Sequence, residues 1–379
     1  MKLLLISEFY YPRIGGAETV VRMIGEHFAR LGWDVHVVTG GREENREEIN
    51  GVTVHRVSVS GNLVKGIKGD VVNTKARIRQ LQPDVIFVYA MQTWGSDLFV
   101  GDSGFLRNST RVVVAPCGLS ALSSVVRRIV YWRYLRTIKR VADRFDHYVF
   151  HTRQGNDFRY LANALHDNYS IIPNAVPSDV LRWSRQRAME YLKQQGLAHL
   201  LNHKIVLNVS NHYRIKGHHR LMRIFDSAFP EDYRLVIAGT VPEGGQGCYE
   251  ECARTVAASR NKVLIDGSDR FTVLSLYKIA RLFLLSSSVE YFPLVLLEAQ
   301  GSRLPFLSML VGNANELEGG IFLSPQKITR TVVSSLLDDE AVLQSFAERG
   351  YRQATESYSE TRVMREYEKL FTGMLVRHR

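Results

Sequence analysis

Residues 282–298 read Leu282-Phe283-Leu284-Leu285-Ser286-Ser287-Ser288-Val289-Glu290-Tyr291-Phe292-Pro293-Leu294-Val295-Leu296-Leu297-Glu298. Four apolar residues come first, then a polar loop, then Pro293 and an apolar helical run. A strand that ends in a loop and re-enters as a helix is the building unit of a parallel sheet covered by helices. Pro293 suits the first helical turn, where its fixed φ is already helical and its missing N–H has no partner to lose. The N–H groups near Phe292 and Leu294 would then point at an anion. Glu290 sits on the loop and Glu298 lies within the helix, among Leu296, Leu297 and Ala299. Burying a carboxylate there is costly unless donors reach it, and sugar hydroxyls are such donors. A salt-bridged or exposed glutamate is the other reading.

The same unit repeats in both directions. Downstream come strands Phe306–Ser308 and Ile321–Leu323, then helical sequence from about Lys327. Upstream lie strands at Ile205–Val209, Arg234–Ala238 and Val263–Ile265, with helices at His218–Ala228, Tyr249–Ala258 and Phe271–Ile279 between and after them. The first half alternates likewise. Its strands are expected at Leu3–Ile6, Val35–Val38, Val52–Val57, Val85–Val88, Val112–Ala115, Tyr148–Phe150 and Ser170–Ile172, with helices at Thr19–Leu31, Thr74–Gln80, Val125–Phe145 and Gln154–Leu165. Strands such as Leu3–Ile6 are continuous apolar runs, as expected when both faces are covered. Between the halves, Pro173-Asn174-Ala175-Val176-Pro177 is strong turn chemistry. The pattern predicts two doubly wound α/β domains, residues 1–175 and 176–358, facing across a cleft, and a C-terminal helix over 359–379. Whether that helix packs back on the first domain is left open. Sheets of this kind bind ligands outside the carboxyl ends of their strands.

Composition agrees. A chain of 379 residues is too long for one core at roughly 150 residues per domain. With 45% hydrophobic and 23% charged residues it is neither disordered nor fibrous. Lys and Arg number 49 against 38 Asp and Glu, a net charge of +11. That excess favours nucleotides, nucleic acid or an anionic membrane as partners, or is only a basic surface. Three cysteines exclude a disulfide-stapled fold. Cys248 and Cys252 have helical i,i+4 spacing, but no second Cys/His pair stands near them in the sequence, so no zinc site is expected. The apolar start Met1–Ser7 is too short for a signal peptide, and no apolar run reaches membrane-spanning length. A cytoplasmic protein is expected, with attachment to the inner face of the plasma membrane left open. The sequons at Asn108 and Asn168 then carry no meaning.

Two further loops carry candidate chemistry. Pro12-Arg13-Ile14-Gly15-Gly16-Ala17-Glu18-Thr19 follows the first strand, and Gly15 and Gly16 allow close approach to a helix N-terminus that offers free N–H groups. A purely structural turn reads the same way. Asn211-His212-Tyr213-Arg214-Ile215-Lys216-Gly217-His218 follows the first strand of the second domain. Cations there, Lys216 and Arg214, either neutralise a diphosphate leaving group or decorate a solvated loop.

Taken in order, these motifs resemble the large group-four family of retaining GT-B glycosyltransferases, which use nucleotide-sugar donors. Glu290 and Glu298 match its E-x7-E signature. Gly15-Gly16-Ala17-Glu18 resembles its N-terminal glycine loop, and Ile172-Pro173-Asn174-Ala175-Val176 its interdomain element. Leu235-Val236-Ile237-Ala238-Gly239 resembles its L-x-I-x-G strand, and Gly312-Asn313-Ala314-Asn315-Glu316-Leu317 its G-G-x-x-E-L loop. The resemblance implies an acceptor-binding first domain and a donor-binding second domain. It implies that Glu298 binds the nucleotide ribose and that Glu290 contacts the donor sugar near the reacting carbon. Lys216 and the Gly15–Gly16 amides would stabilise the departing diphosphate, with Asn211, Arg214, Phe292, Pro293 and Leu294 lining the same site. The donor, UDP- or GDP-linked, is a substrate; no cofactor and no metal are implied. The sequence also departs from the family. Ser210-Asn211-His212 replaces G-R-L, which removes the arginine of the diphosphate pair. Tyr291 and Pro293 replace both glycines of E-G-F-G, Ser302–Phe306 replaces C-G-x-P-V, and Cys117 stands where a histidine is common.

Residues 125–145 form a basic amphipathic pattern. Arg133, Arg136, Arg140 and Arg144 fall on one helical face, beside an apolar stripe of Tyr131, Leu135, Ile138, Ala142 and Phe145. The pattern reads either as a packed surface helix or as a face for anionic lipid headgroups, which suits a lipid-linked acceptor. No nucleic-acid-binding motif accompanies the charge. The expected activity is retaining transfer of a sugar to a glycan or glycolipid acceptor in cell-envelope polysaccharide assembly. The alternatives are a catalytically silent sugar-binding or scaffold subunit and a GT-B sugar-nucleotide epimerase.

Overall fold

The computed structural model describes residues 1–41, 44–102, 110–242 and 245–376. Asn108 lies outside them. The chain divides into two compact units: Met1–Asn174 together with the chain from Val363 onward, and Ala175–Arg362.

Among the described residues the first unit holds ten strands: β1 (Lys2–Ser7), β2 (Asp34–Gly40), β3 (Asn45–Ile49), β4 (Val52–Val57), β5 (Val59–Asn62), β6 (Gly66–Gly69), β7 (Val85–Tyr89), β8 (Arg111–Ala115), β9 (His147–Phe150) and β10 (Tyr169–Ile171). Eight of them make one sheet in the order β10-β9-β8-β7-β1-β2-β4-β3. Every pair is parallel except β3 against β4. Leu3, Leu4, Leu5 and Ile6 of the central strand are fully buried, because helices cover both faces. The second unit has β11 (Lys204–Val209), β12 (Tyr233–Gly239), β13 (Lys262–Asp266), β14 (Leu282–Leu285), β15 (Phe306–Ser308) and β16 (Gly320–Phe322). These form an all-parallel sheet in the order β13-β12-β11-β14-β15-β16.

This order decides where a site can lie. The chain leaves β11 for β12 on one side and later returns as β14 on the other. The loops after β11 and β14 therefore meet at the switch point, outside the carboxyl ends of the strands, where sheets of this kind bind ligands. The same reversal occurs between β1 and β7 in the first unit. The final helix, Glu360–Val376, begins in the second unit and ends in the first. There Tyr367 and Phe371 are buried, with Phe371 5.2 Å from Phe28 and Tyr367 5.6 Å from Phe87 between ring centroids.

Several elements differ from the sequence expectation. The short antiparallel pair β5–β6 was not expected at all. The edge strand β3 is Asn-Arg-Glu-Glu-Ile, charged and half exposed, with no apolar alternation to announce it; such charge blunts an exposed sheet edge. Helix Trp94–Gly101 is buried around nearly its whole circumference, so it has no polar face and no amphipathic period. The expected single helix over 125–145 is instead Val125–Val130, Trp132–Arg140 and a 3-10 turn Ala142–Arg144, broken at Tyr131 and Val141. The stripe Tyr131, Leu135, Ile138, Ala142 and Phe145 is nevertheless buried as its spacing requires.

Candidate active site

The loops after β11 and β14 are laced together. Ser286 Oγ donates to the Lys216 carbonyl at 2.9 Å, and the Ser288 N–H donates to the Ile215 carbonyl at 2.7 Å. Gly217 has φ +70, and a Cβ there would stand 2.6 Å from the Ser286 oxygen, so only glycine lets the loops approach this closely. Arg220, in the first turn of helix His218–Ala228, reaches across to the Ser286 carbonyl and to Ser288 Oγ at 2.8 Å. The lacing brings Lys216 Nζ to Glu290 Oε1 at 2.7 Å. These side chains are 24% and 13% exposed, so the pair is partly withdrawn from water but reachable. A third loop supports it: Gly312, at φ +57, lies so close that a Cβ would sit 2.7 Å from the Glu290 oxygen and 2.6 Å from that of Tyr291. The close approach that Tyr291 and Pro293 deny to the 290–293 loop is thus made by Gly312 from outside.

Pro293 caps helix Leu294–Gly301, and among the described residues no side chain caps that N-terminus. The side chains of Phe292 and Leu294 are buried, Phe292 edge-on to Tyr358 at 5.9 Å, so they can reach a ligand only through backbone. Glu298 is 6% exposed. It has a donor that the sequence reading did not name. Arg270 Nη1 donates to Glu298 Oε1, while its Nε and Nη2 grip Asp179 in a fork at 2.9 Å each. An arginine between two carboxylates explains how Glu298 is tolerated in an apolar helix.

Two expected residues are engaged elsewhere. Arg214 is 77% exposed and pairs with Glu251 at 3.2 Å, which also holds His219 at 2.8 Å. Its partner here is Glu251 rather than Glu290, and Arg220, which does reach the β14 loop, was not singled out by the motif. Asn211 receives Thr240 Oγ1 at 2.9 Å and ties the loop to the end of β12. In the first unit, Gly15 caps helix Gly16–Arg30 in an extended conformation, and Thr19 Oγ1 donates to its carbonyl at 2.8 Å. The Glu18 carboxylate folds back over Gly15 and pairs with Arg13 at 3.4 Å. Burial pushes the Glu18 pKa up, partly offset by its own N–H and by Arg13.

The basic face is also redrawn. Arg133, Arg136 and Arg140 are exposed. Arg144 is not part of that face: it is half-buried and donates to the Phe99 and Val100 carbonyls. Helix Val125–Val130 has no buried residue; Val125, Val126, Ile129 and Val130 are 72%, 70%, 65% and 59% exposed, and Trp132 beside them 49%. An apolar patch next to arginines was missed because periodicity alone cannot show which apolar residues lack a partner. Among the described residues no helix is long and apolar enough to cross a membrane.

Two family descriptions match this chain. "Glycosyl transferase 4-like domain" matches residues 15–175, and "Glycosyl transferases group 1" matches 192–351. The solved structures it is similar to share its whole fold. Sucrose-phosphate synthase from Thermosynechococcus elongatus has a TM-score of 0.80 at 18% identity, covering 99% of each chain. Anabaena HepE, solved in complex with UDP-glucose, scores 0.76 at 16% identity over 98% of this chain and 100% of its own. WaaG, a glycosyltransferase involved in lipopolysaccharide biosynthesis, scores 0.70 at 16% identity over 98% and 100%. No protein of curated function matches. The chain belongs to the group 1 glycosyltransferases and has the two-domain GT-B fold.

Proposed function

We propose that the protein transfers a sugar, with retention at the anomeric carbon, from a UDP- or GDP-linked donor to a glycan or lipid-linked glycan acceptor in cell-envelope polysaccharide assembly. The observation that carries this reading is the Lys216–Glu290 pair at the switch point of the second sheet, with Glu290 four residues before helix Leu294–Gly301, whose N-terminus has no side-chain cap among the described residues. In the transfer, the acceptor oxygen bonds to the anomeric carbon on the face from which the diphosphate departs, as the bond from that carbon to the diphosphate breaks, and the acceptor's proton passes to the departing phosphate oxygen. Negative charge grows on the departing diphosphate. Lys216 and the helix N-terminus then bind the transition state more tightly than the donor, which is what accelerates a reaction. Glu290 accepts from the donor sugar, and Glu298 from the ribose while Arg270 holds it in place. Charge neutralisation by these groups requires no metal at the diphosphate. The UDP-glucose complex of HepE and the role of WaaG in lipopolysaccharide synthesis support the donor class and the envelope setting.

Incubation with a panel of UDP- and GDP-sugars and a glycan acceptor tests the reading. Release of free nucleotide with an unchanged anomeric configuration in the product is expected. Nucleotide-sugar binding without release would make the chain a sugar-binding subunit, and an inverted product would remove the retaining mechanism.

The surface of Val125, Val126, Ile129, Val130 and Trp132, flanked by Arg133, Arg136 and Arg140, docks the enzyme on anionic lipid. Changing the three arginines to Gln should weaken sedimentation with anionic vesicles by roughly 3 kcal/mol at low salt, about 1 kcal/mol per near-surface cation. Equal sedimentation of wild type and variant would leave this surface without a membrane role.

A further inference from the structure

The loop that carries Lys216 is bracketed by two histidines, His212 and His218, and both are buried, at 0% and 2% exposure. Helix Gln246–Ala257 presents Cys248 and Cys252 to them, also buried, at 7% and 0%. One ligand atom from each of the four lies within 4.8 Å of all the others. The cysteines' i,i+4 spacing puts both sulfurs on one helical face. The pair that is missing from their sequence neighbourhood is supplied by the fold.

Core packing alone does not account for this cluster. Thiols are at home in an apolar core, but His212 is not. Neither of its ring nitrogens has a hydrogen-bond partner among the described residues, and its side chain is fully buried. Other buried side-chain atoms also lack a partner among the described residues, but only His212 has two such atoms, and a fully unsatisfied buried side chain needs a reason. His218 is already oriented as a ligand. Ser210 Oγ gives its proton to Asn208 Oδ1 at 2.8 Å, so it can only accept from His218 Nε2, at 2.9 Å. That fixes the proton on Nε2 and leaves the Nδ1 lone pair facing Cys248 Sγ at 3.6 Å. A hydrogen-bonded outer partner that sets the tautomer is the usual support of a metal-bound imidazole.

From this geometry we propose that His212, His218, Cys248 and Cys252 form a structural zinc site. Zinc held by two sulfurs at about 2.3 Å and two nitrogens at about 2.0–2.1 Å gives a tetrahedron with edges of about 3.3–3.8 Å. The Cys248–His218 separation already has that length, and since no edge exceeds 4.8 Å, each of the others closes by at most about 1.5 Å of side-chain rotation. Two thiolates neutralise the divalent cation, which a buried site requires. All four positions are filled by protein, so the ion has no open site for substrate and does no chemistry on the sugar. Its work is mechanical. It ties the loop from Asn211 to Gly217, and with it Lys216, to helix Gln246–Ala257. The site is independent of the donor and acceptor proposed above.

Metal content and cobalt spectroscopy decide the matter. The full chain, produced without a polyhistidine tag, is expected to carry about one zinc per chain by elemental analysis. The chain produced in zinc-depleted medium and titrated with cobalt should show intense visible bands of a tetrahedral ion and a thiolate-to-cobalt charge-transfer band. The double variant Cys248→Ser/Cys252→Ser should lose both. Ser210→Ala, which removes only the outer partner of His218, should lower zinc affinity about ten- to a hundredfold with the chain still folded. Absence of the charge-transfer band in the wild type overturns the proposal whether or not the cysteine variant folds. So does retention of the band in a folded double variant.

Discussion

The two units place a charged loop at the same topological position, after the first strand of a doubly wound sheet, and use it differently. In the first unit the loop satisfies itself. Glu18 folds back over the start of its own helix and pairs with Arg13, five residues away. In the second unit the corresponding loop is satisfied from outside. Lys216 finds Glu290, 74 residues away, through a lattice of hydrogen bonds between the loops after β11 and β14. A local pair needs only a helix start to form. A distant pair needs the whole sheet, and it persists only because several contacts position each partner. The second arrangement is the one suited to chemistry, because its charges are held in place before a substrate arrives.

If that contrast is right, the largest effect belongs to Lys216→Ala. Turnover with a competent donor should fall about a hundredfold or more, with a smaller change in donor affinity, since the lost charge acts mainly in the transition state. Steady-state kinetics checks this, and unchanged turnover would erase the distinction between the two loops. Next comes Glu298→Ala. Nucleotide affinity measured by calorimetry should weaken by roughly 1.5–3 kcal/mol, the range for a charge-assisted hydrogen bond. Arg270 retains its fork to Asp179, so the helix should remain folded. Equal affinity for every nucleotide tried would remove the ribose role.

Gly312→Ala probes how the distant pair is supported. An added Cβ at positive φ, pressed against the Glu290 and Tyr291 carbonyls, should cost about 1–3 kcal/mol of stability. A lower urea midpoint together with reduced turnover is expected; an unchanged midpoint would mean that the loop yields freely. The smallest effect should come from Glu18→Gln. A carboxylate near a helix N-terminus is worth about 0.3–1 kcal/mol, so the urea midpoint should fall slightly and turnover should stay close to that of the wild type. A collapse as deep as that of Lys216→Ala would show that the first loop participates as directly as the second.

Much of this was legible in the chain. Continuous apolar runs such as Leu3–Ile6 and Val85–Val88 mark strands covered on both faces, and the run from Leu282 to Glu298 shows strand, loop and helix in turn. The exposed apolar surface of Val125–Val130 stayed hidden for a different reason from β3 and helix Trp94–Gly101. The latter two lack a period, whereas exposure at Val125–Val130 is set by what does or does not lie opposite.

What the sequence by itself determined is local: where the elements lie, that strands and helices alternate, and which polar residues fall on loops after strands. These follow from period, turn chemistry and capping, all of which act within a few residues. Partnership was decided only by the tertiary structure. Arg270 was not foreseen for Glu298, nor was Arg220 for the Ser286 loop or Glu251 for Arg214, and Arg144 was placed on a face it does not occupy. His212 and His218 stand 30 or more residues from Cys248 and Cys252 and meet them only when β11 takes its place in the sheet. A side chain's partner depends on which strands become neighbours, and strand order is settled by burial over the whole unit.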